Sequence, residues 1–337
     1  MADAGNKTSM KIMYAGAPEF SVAPLKALLE EGFSVAAVLT QPDKPVGRKG
    51  ILTPTPLRAF AEEAGIPVLT YAKVRDHAAE LGRVGADILV TCAYGQILTA
   101  EVLAAFPKGV YNIHASLLPR WRGASPIQHA ILAGDEKTGV TVMRTDIGLD
   151  TGDILLSREI GISREDTAES LSAKLSALGG VCIGEALRAL ERGEVRFVKQ
   201  PEAGVTVCRK ISKEMCAADF ARSAEEICRL VRAMAPSPLA YAYLRGKLVN
   251  FYFAEAVGAE SLSGAGTGGA CAADGQAKLL RAGEVVRADK TGLYVAAGEG
   301  IVRITELQAE GGKRMRAADF VNGRKAAVGD LFTKEKA

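Results

Sequence analysis

The chain has 337 residues, 48% of them hydrophobic and 24% charged, with a net charge of +3. That is material for more than one core, and the length suits two domains. No run approaches eighteen apolar residues and the opening MADAGNKTSM holds no apolar signal core, which argues against a membrane span or a secretion signal and predicts a cytoplasmic protein. The Asn6-Lys7-Thr8 sequon is then without meaning. Six cysteines (Cys92, Cys182, Cys208, Cys216, Cys228 and Cys271) show no C-x-x-C pair, a pattern that predicts free thiols and no metal site.

Lys11 to Ala15 reads as a short buried strand, followed by a turn, a helix from about Glu19 to Glu31, and a second strand over Ser34 to Thr40. Strand, helix, strand with short connections predicts a right-handed crossover and a parallel sheet. The turn, GAPEF, lacks the glycine spacing of a dinucleotide fingerprint, which disfavours a nicotinamide-dependent dehydrogenase. Gln41 to Thr55, QPDKPVGRKGILTPT, reads as a loop with three prolines and a basic cluster at Lys44, Arg48 and Lys49. It is either a solvated surface or a set of cations for phosphates.

Helices are predicted over Pro56 to Ala64 and Asp76 to Val84, with His77 at the surface, and a short strand from Val68. Asp87 to Cys92, DILVTC, is the continuous apolar run of a strand buried on both faces. It leads into Ala93-Tyr94-Gly95-Gln96-Ile97-Leu98. The next strand candidate, Val110 to Ile113, ends in polar chemistry. Residues two apart in a strand share a face, so the Asn112 amide and the His114 imidazole project together. One donates a hydrogen bond without titrating; the other takes and releases a proton near neutral pH. Asp150 follows in IGLDTGD, between Gly148 and Gly152, where a tight turn can aim a short carboxylate. Taken alone, Asn-x-His at a strand end equally describes a satisfied turn, and so does an Asp between glycines.

After the Pro119 break, Ala124 to Ala133 reads as helical, with His129 on it as a structural or surface residue. Gly139 to Arg144 and Ile154 to Ile160 read as strands flanking the Asp150 turn. Ser163 to Glu191 opens with an acidic cap and continues as a long amphipathic helix. Residues 192–206 are polar and contain Gly and Pro. The expected organisation is a first domain over 1–191, a linker over 192–206 and a second domain over 207–337. From Thr206 onward 20 Lys and Arg stand against 15 Asp and Glu, a basic excess that suits a polyanion or simply a solvated surface. There a helix is expected near Ala224 to Ala233, strands over Ala240 to Leu244, Leu248 to Ala254, Lys278 to Val286, Gly292 to Ala296 and Ile301 to Leu307, and a final helix near Ala317 to Asn322. The Gly-rich segment Gly258 to Gly275 is expected to be mobile. Five short strands predict a small β-barrel.

Asn112-Ile113-His114, then Ser116-Leu117-Leu118-Pro119-Arg120-Trp121-Arg122-Gly123, then Asp150 within GLDTGD, together resemble the signature of the folate-dependent formyltransferases. The resemblance extends over nearly all of the chain. It implies an α/β fold: an N-terminal Rossmann-like, mostly parallel sheet followed by a C-terminal barrel resembling an oligonucleotide-binding fold. It implies a catalytic trio of Asn112, His114 and Asp150, with 10-formyltetrahydrofolate as formyl donor and no metal. Tyr94, Gly95, Ile97 and Leu98, and Ser116, Leu117, Leu118 and Pro119, would line the folate site. The basic loop resembles one that members acting on transfer RNA insert at the acceptor stem. Arg48, with Lys44 and Lys49, would then contact the RNA, and the acceptor would be the methionine amine on an initiator tRNA. A monomer is expected. The family's usual aromatic between Pro236 and Pro238 is replaced here by Ser237. The competing expectations are a formyltransferase acting on an amino sugar nucleotide and a tRNA-binding module without activity. Glycinamide ribonucleotide formyl transfer is disfavoured, since it needs no second domain.

Overall fold

The computed structural model describes residues 10–47, 50–258 and 280–336. Arg48, Lys49, the Asn6 sequon, Cys271 and nearly all of the Gly258 to Gly275 segment lie outside the described residues. The chain divides into two compact units, the first within Met1–Pro126, Glu136–Gly161 and Leu171–Arg209, the second within Ile127–Asp135, Ile162–Ser170 and Lys210–Ala337.

The first unit is built on a seven-stranded sheet. In chain order the elements as far as residue 209 are β1 (Lys11–Gly16), α1 (Val22–Glu30), β2 (Ser34–Thr40), β3 (Lys44–Val46), β4 (Ile51–Thr53), α2 (Pro56–Glu63), β5 (Val68–Thr70), α3 (Ala78–Arg83), β6 (Ile88–Cys92), α4 (Ala100–Ala104), β7 (Val110–His114), β8 (Arg122–Gly123), α5 (Pro126–Ala133), β9 (Lys137–Arg144), β10 (Ile154–Gly161), α6 (Ala168–Arg192) and β11 (Val207–Cys208), of which α5, after Pro126, belongs to the second unit. The sheet order is β10-β9-β7-β6-β1-β2-β5. Strands β5 to β7 across this order pair in parallel, whereas β9 is antiparallel to both β7 and β10. The chain leaves β1 in one direction through β2 and β5 and returns to its other side at β6. This makes a topological switch point, where open α/β sheets bind ligands at the carboxyl ends of the strands. All five residues of β6 are buried, as a strand covered on both faces requires.

The Gln41 to Thr55 stretch is more regular than the loop expected from its prolines. Strands β3 and β4 pair antiparallel, Val46 against Ile51, and Gly47 and Gly50 take positive φ at the turn. Pro45 is tolerated because this two-stranded ribbon is separate from the main sheet and leaves its donor-free nitrogen on an edge. The hairpin exposes Val46, Ile51 and Leu52. The helix expected from Glu19 starts instead as a single 3₁₀ turn, Glu19–Ser21. Helix α2 begins with Pro56 behind Thr55, whose hydroxyl accepts the Arg58 N–H at 3.1 Å, the usual N-terminal arrangement.

The second unit contains α7 (Ala224–Met234), β12 (Ala240–Leu244), β13 (Lys247–Val257), β14 (Val285–Asp289), β15 (Gly292–Ala296), β16 (Ile301–Ala309), β17 (Met315–Arg316), α8 (Ala317–Asn322) and β18 (Phe332–Thr333). The sheet runs β14-β15-β16-β13-β12-β18 and curls until its ends meet. Val285 N donates to Asp330 O and Phe332 N to Gly283 O, both at 2.8 Å. Such closure removes the exposed strand edges that invite aggregation. The expected strand over Lys278 to Val286 lies later, at Val285–Asp289, because Gly283 turns the chain at φ 88°. Phe220, Phe251 and Phe332 pack ring against ring with centroids 5.7–6.4 Å apart inside the barrel. Helix α7 opens with a reciprocal capping box between Ser223 and Glu226. Ser237 is exposed. No helix among the described residues is long and apolar enough to cross a membrane.

Candidate active site

Strand β7 carries Asn112 and His114 on one face, and the turn between β9 and β10 brings Asp150 to them. Asn112 Oδ1 accepts the Thr91 hydroxyl at 2.9 Å, which leaves Nδ2 as the outward donor, 3.5 Å from Asp150 Oδ1. The opposite amide orientation would set oxygen against carboxylate. Thr91 is opposite Asn112 in the β6–β7 ladder, so the pairing register itself aims the amide.

His114 is 5% exposed. Its Nε2 lies 2.9 Å from the Trp121 carbonyl oxygen. A carbonyl can only accept, so Nε2 carries a proton and Nδ1 is the nitrogen left for chemistry. Nδ1 faces Asp150 Oδ2 at 3.7 Å, too long for a direct hydrogen bond but close enough for a charge pair once Nδ1 has taken a proton. That same Oδ2 accepts the Gly123 N–H at 2.8 Å, which anchors the carboxylate. Trp121 and Asp150 hold positive φ, 63° and 52°, a region non-glycine residues enter at a cost of about 1–3 kcal/mol and keep only where the surroundings impose it. Both strained residues supply an oxygen to His114's surroundings. Burial holds the neighbouring Cys208 thiol above its ordinary range, with a smaller push from the Asp150 carboxylate.

The arrangement is an amide donor, an imidazole with one free nitrogen and a fixed carboxylate over one sheet face. It suits stabilising a developing oxyanion while moving a proton between two nitrogens. The family model described as Formyl transferase matches residues 10–187, and the one described as Formyl transferase, C-terminal domain matches residues 210–325. The chain belongs to the formyl transferase family.

Relatives within the family agree over nearly the whole length. The chain is 43% identical over 323 residues to the methionyl-tRNA formyltransferase of Chromobacterium violaceum, covering 95% of this chain and 98% of that one. It is 41% identical over 316 residues to the methionyl-tRNA formyltransferase of Coxiella burnetii, covering 93% and 95%. Among solved structures, HypX from Aquifex aeolicus in complex with tetrahydrofolic acid superposes with a TM-score of 0.64 at 18% identity, over 95% of this chain. The chain spans 48% of that longer protein, and this likeness is one of fold.

Beside the trio, the formyl transferase chain presents its rim loops unevenly. Ala93 starts the first loop two residues after Thr91, at φ 50°. Tyr94 turns inward and packs in the core with Leu98 against it, whereas Ile97 is 85% exposed. The loop is braced: Gln41 Nε2 donates to Tyr94 O at 2.8 Å, and Gln96 spans Val74 N and Tyr71 O at 2.7 and 2.8 Å. In the second loop Ser116 is fully buried, and its hydroxyl donates to Arg120 O at 2.6 Å. Leu118 is buried and Leu117 half-buried, and the Leu118–Pro119 peptide is cis. Ile147 and Leu149, exposed at 82% and 62%, lie in the turn that carries Asp150. Lys44 is exposed on β3, in the two-stranded hairpin that pairs separately from the sheet carrying the trio. Among the described residues no group of three or more His, Cys, Asp or Glu could hold a metal.

Four groups at this site carry no sequence signal of their own: the Thr91 hydroxyl, the Trp121 carbonyl, the Gly123 N–H and Gln200, whose Nε2 donates to Asp150 O at 2.8 Å. Two of the four are backbone. The only available hint was that Trp121 and Gly123 sit inside the motif string.

Proposed function

We propose that the chain transfers the formyl group of 10-formyltetrahydrofolate to the amino group of methionine on an initiator tRNA, in the cytoplasm. The convergence of Asn112 Nδ2, His114 Nδ1 and the Asp150 carboxylate carries the chemistry. The names of the relatives at 41–43% identity support the acceptor. Exposed Ile97 on the loop after β6, with exposed Gly95 two residues before it, offers apolar and open backbone surface for a flat ring, and the loop of Leu117 to Pro119 follows the strand β7 that carries Asn112 and His114. Ser116 serves this site by shaping its loop, since its hydroxyl is engaged internally.

When bound, the folate supplies an activated formyl carbon and a leaving nitrogen that must gain a proton. Asn112 Nδ2 donates to the formyl oxygen as charge develops there, a contribution whose loss costs about 10²–10³ in rate. His114 Nδ1 takes the proton that the attacking amine gives up. Asp150 Oδ2 stabilises the imidazolium so formed, and the proton is then delivered to the leaving nitrogen. One carbon–nitrogen bond forms, one breaks, and one proton moves between the two nitrogens. Exposed Lys44, with Arg48 and Lys49 following it in the sequence, supports RNA as the carrier. Replacing Lys44, Arg48 and Lys49 together with Ala is expected to weaken binding of the charged tRNA and to flatten its salt dependence by up to about 0.9 per lost phosphate contact in the log–log slope.

The proposal is tested by comparing kcat/KM for charged initiator tRNA with that for an amino sugar nucleotide, at equal donor concentration. Preference for the RNA by several orders of magnitude is expected. Equal or greater activity on the sugar nucleotide would reassign the acceptor.

A further inference from the structure

Residues 193–206 follow the last helix of the sheet unit, and the chain there does more than connect. Val198 and Ile154 exchange backbone hydrogen bonds at 2.8 and 2.9 Å. Gln200 then places both of its amide hydrogens on the catalytic turn: Nε2 donates to Asp150 O and to Gly152 O, each at 2.8 Å. Its Oε1 accepts from Arg122 Nε at 2.9 Å. Six residues on, Thr206 Oγ1 accepts the Trp121 N–H at 2.8 Å and Thr206 O accepts the Arg122 N–H at 2.9 Å. Residues β8 and β11 complete the tie as a short parallel ladder.

This geometry bears on Asp150 in particular. Its backbone sits at φ 52°, and the turn around it is otherwise exposed from Asp146 to Leu149. A strained, exposed turn relaxes unless something outside it holds both flanks. Gln200 does so, bridging the carbonyls on either side of Thr151. Through Arg122 it also ties that turn to the residue next to Gly123, the donor to the Asp150 carboxylate. We infer that Gln200 is a positioning residue for formyl transfer, clamping the Asp150 turn so that the carboxylate faces His114 and Asn112. Its kinetic consequence rests on the reading of the reaction given above.

The test uses the full chain with Gln200→Met, which keeps the volume and removes both donors, and Gln200→Ala as a second variant. Formylation of charged initiator tRNA is expected to fall about 10–100-fold in kcat, since misplacement of a reacting group by 1 Å costs about 10², while KM for RNA and for donor stays within about twofold. In an Asp150→Asn background, Gln200→Met is expected to add almost nothing, because groups acting as one unit are non-additive. Hydrogen exchange of the amides in 146–153 and of Gly123 should quicken at least tenfold in Gln200→Met, with exchange in β1 and β6 unchanged. A wild-type kcat, a full multiplicative loss in the Asp150→Asn background, or unchanged exchange in 146–153 would each overturn the inference. The exchange arm does not depend on the substrate, so a wild-type protein inactive on methionyl-tRNA would sink the functional reading and leave this arm to decide the clamp.

Discussion

Asp150→Asn is expected to lower kcat for formyl transfer by about 10²–10⁴-fold, the range a positioned acid–base partner commonly contributes, with RNA affinity nearly unchanged. The geometry gives the reason. Asp150 Oδ2 is held by Gly123 N at 2.8 Å and faces His114 Nδ1 at 3.7 Å, while Oδ1 faces Asn112 Nδ2 at 3.5 Å. An Asn can still accept from Gly123 with its one oxygen, so the turn need not collapse. Its amide nitrogen must then face the Asn112 amide nitrogen, and the negative charge opposite the imidazole is gone. His114→Ala should cost a similar factor, and the double variant little more than either alone. Steady-state kinetics with charged tRNA checks this. Near wild-type turnover by either single variant would remove these residues from the chemistry.

Gly123→Ala is the second large effect. Gly123 has φ 116°, and a methyl group built there would lie 2.3 Å from the Cys208 carbonyl oxygen, a contact that backbone atoms cannot relieve without parting β8 from β11. The N–H that anchors Asp150 moves with it. A kcat loss of about 10²-fold or more is expected, together with a melting temperature lower by several degrees, since strain of about 1–3 kcal/mol at one residue is large against the total stability. The two readouts should fall together in Gly123→Ala, whereas Asp150→Asn should affect chiefly the first. A Gly123→Ala protein with full activity would show that the Gly123 N–H does not set the carboxylate.

Much of this fold is legible in residue patterning. Strand β2 and helix α8 occupy the residues expected of them, Ser34–Thr40 and Ala317–Asn322, because apolar runs bounded by turn formers admit few alternatives. The meeting of Asn112 and His114 follows from the two-residue period of a strand. Asp150 joins them across 38 residues, which the flanking glycines hinted at but no periodicity could place. Strands β8 and β11 are two residues each and leave no pattern. The same holds for β17 and β18, which complete the barrel sheet. Gln200 and Thr206 lie in a polar stretch that composition describes as a connection, and their partners are 48–87 residues away, most of them backbone atoms. Side-chain identity therefore revealed the reacting groups better than the groups that hold them.

The most direct measurement is a single-turnover reaction of the wild-type chain with 10-formyltetrahydrofolate labelled in its formyl carbon and with methionyl initiator tRNA. The label should appear on the methionine amine of the RNA. Label that stays on the folate, or that passes only to water, would contradict formyl transfer to methionyl-tRNA.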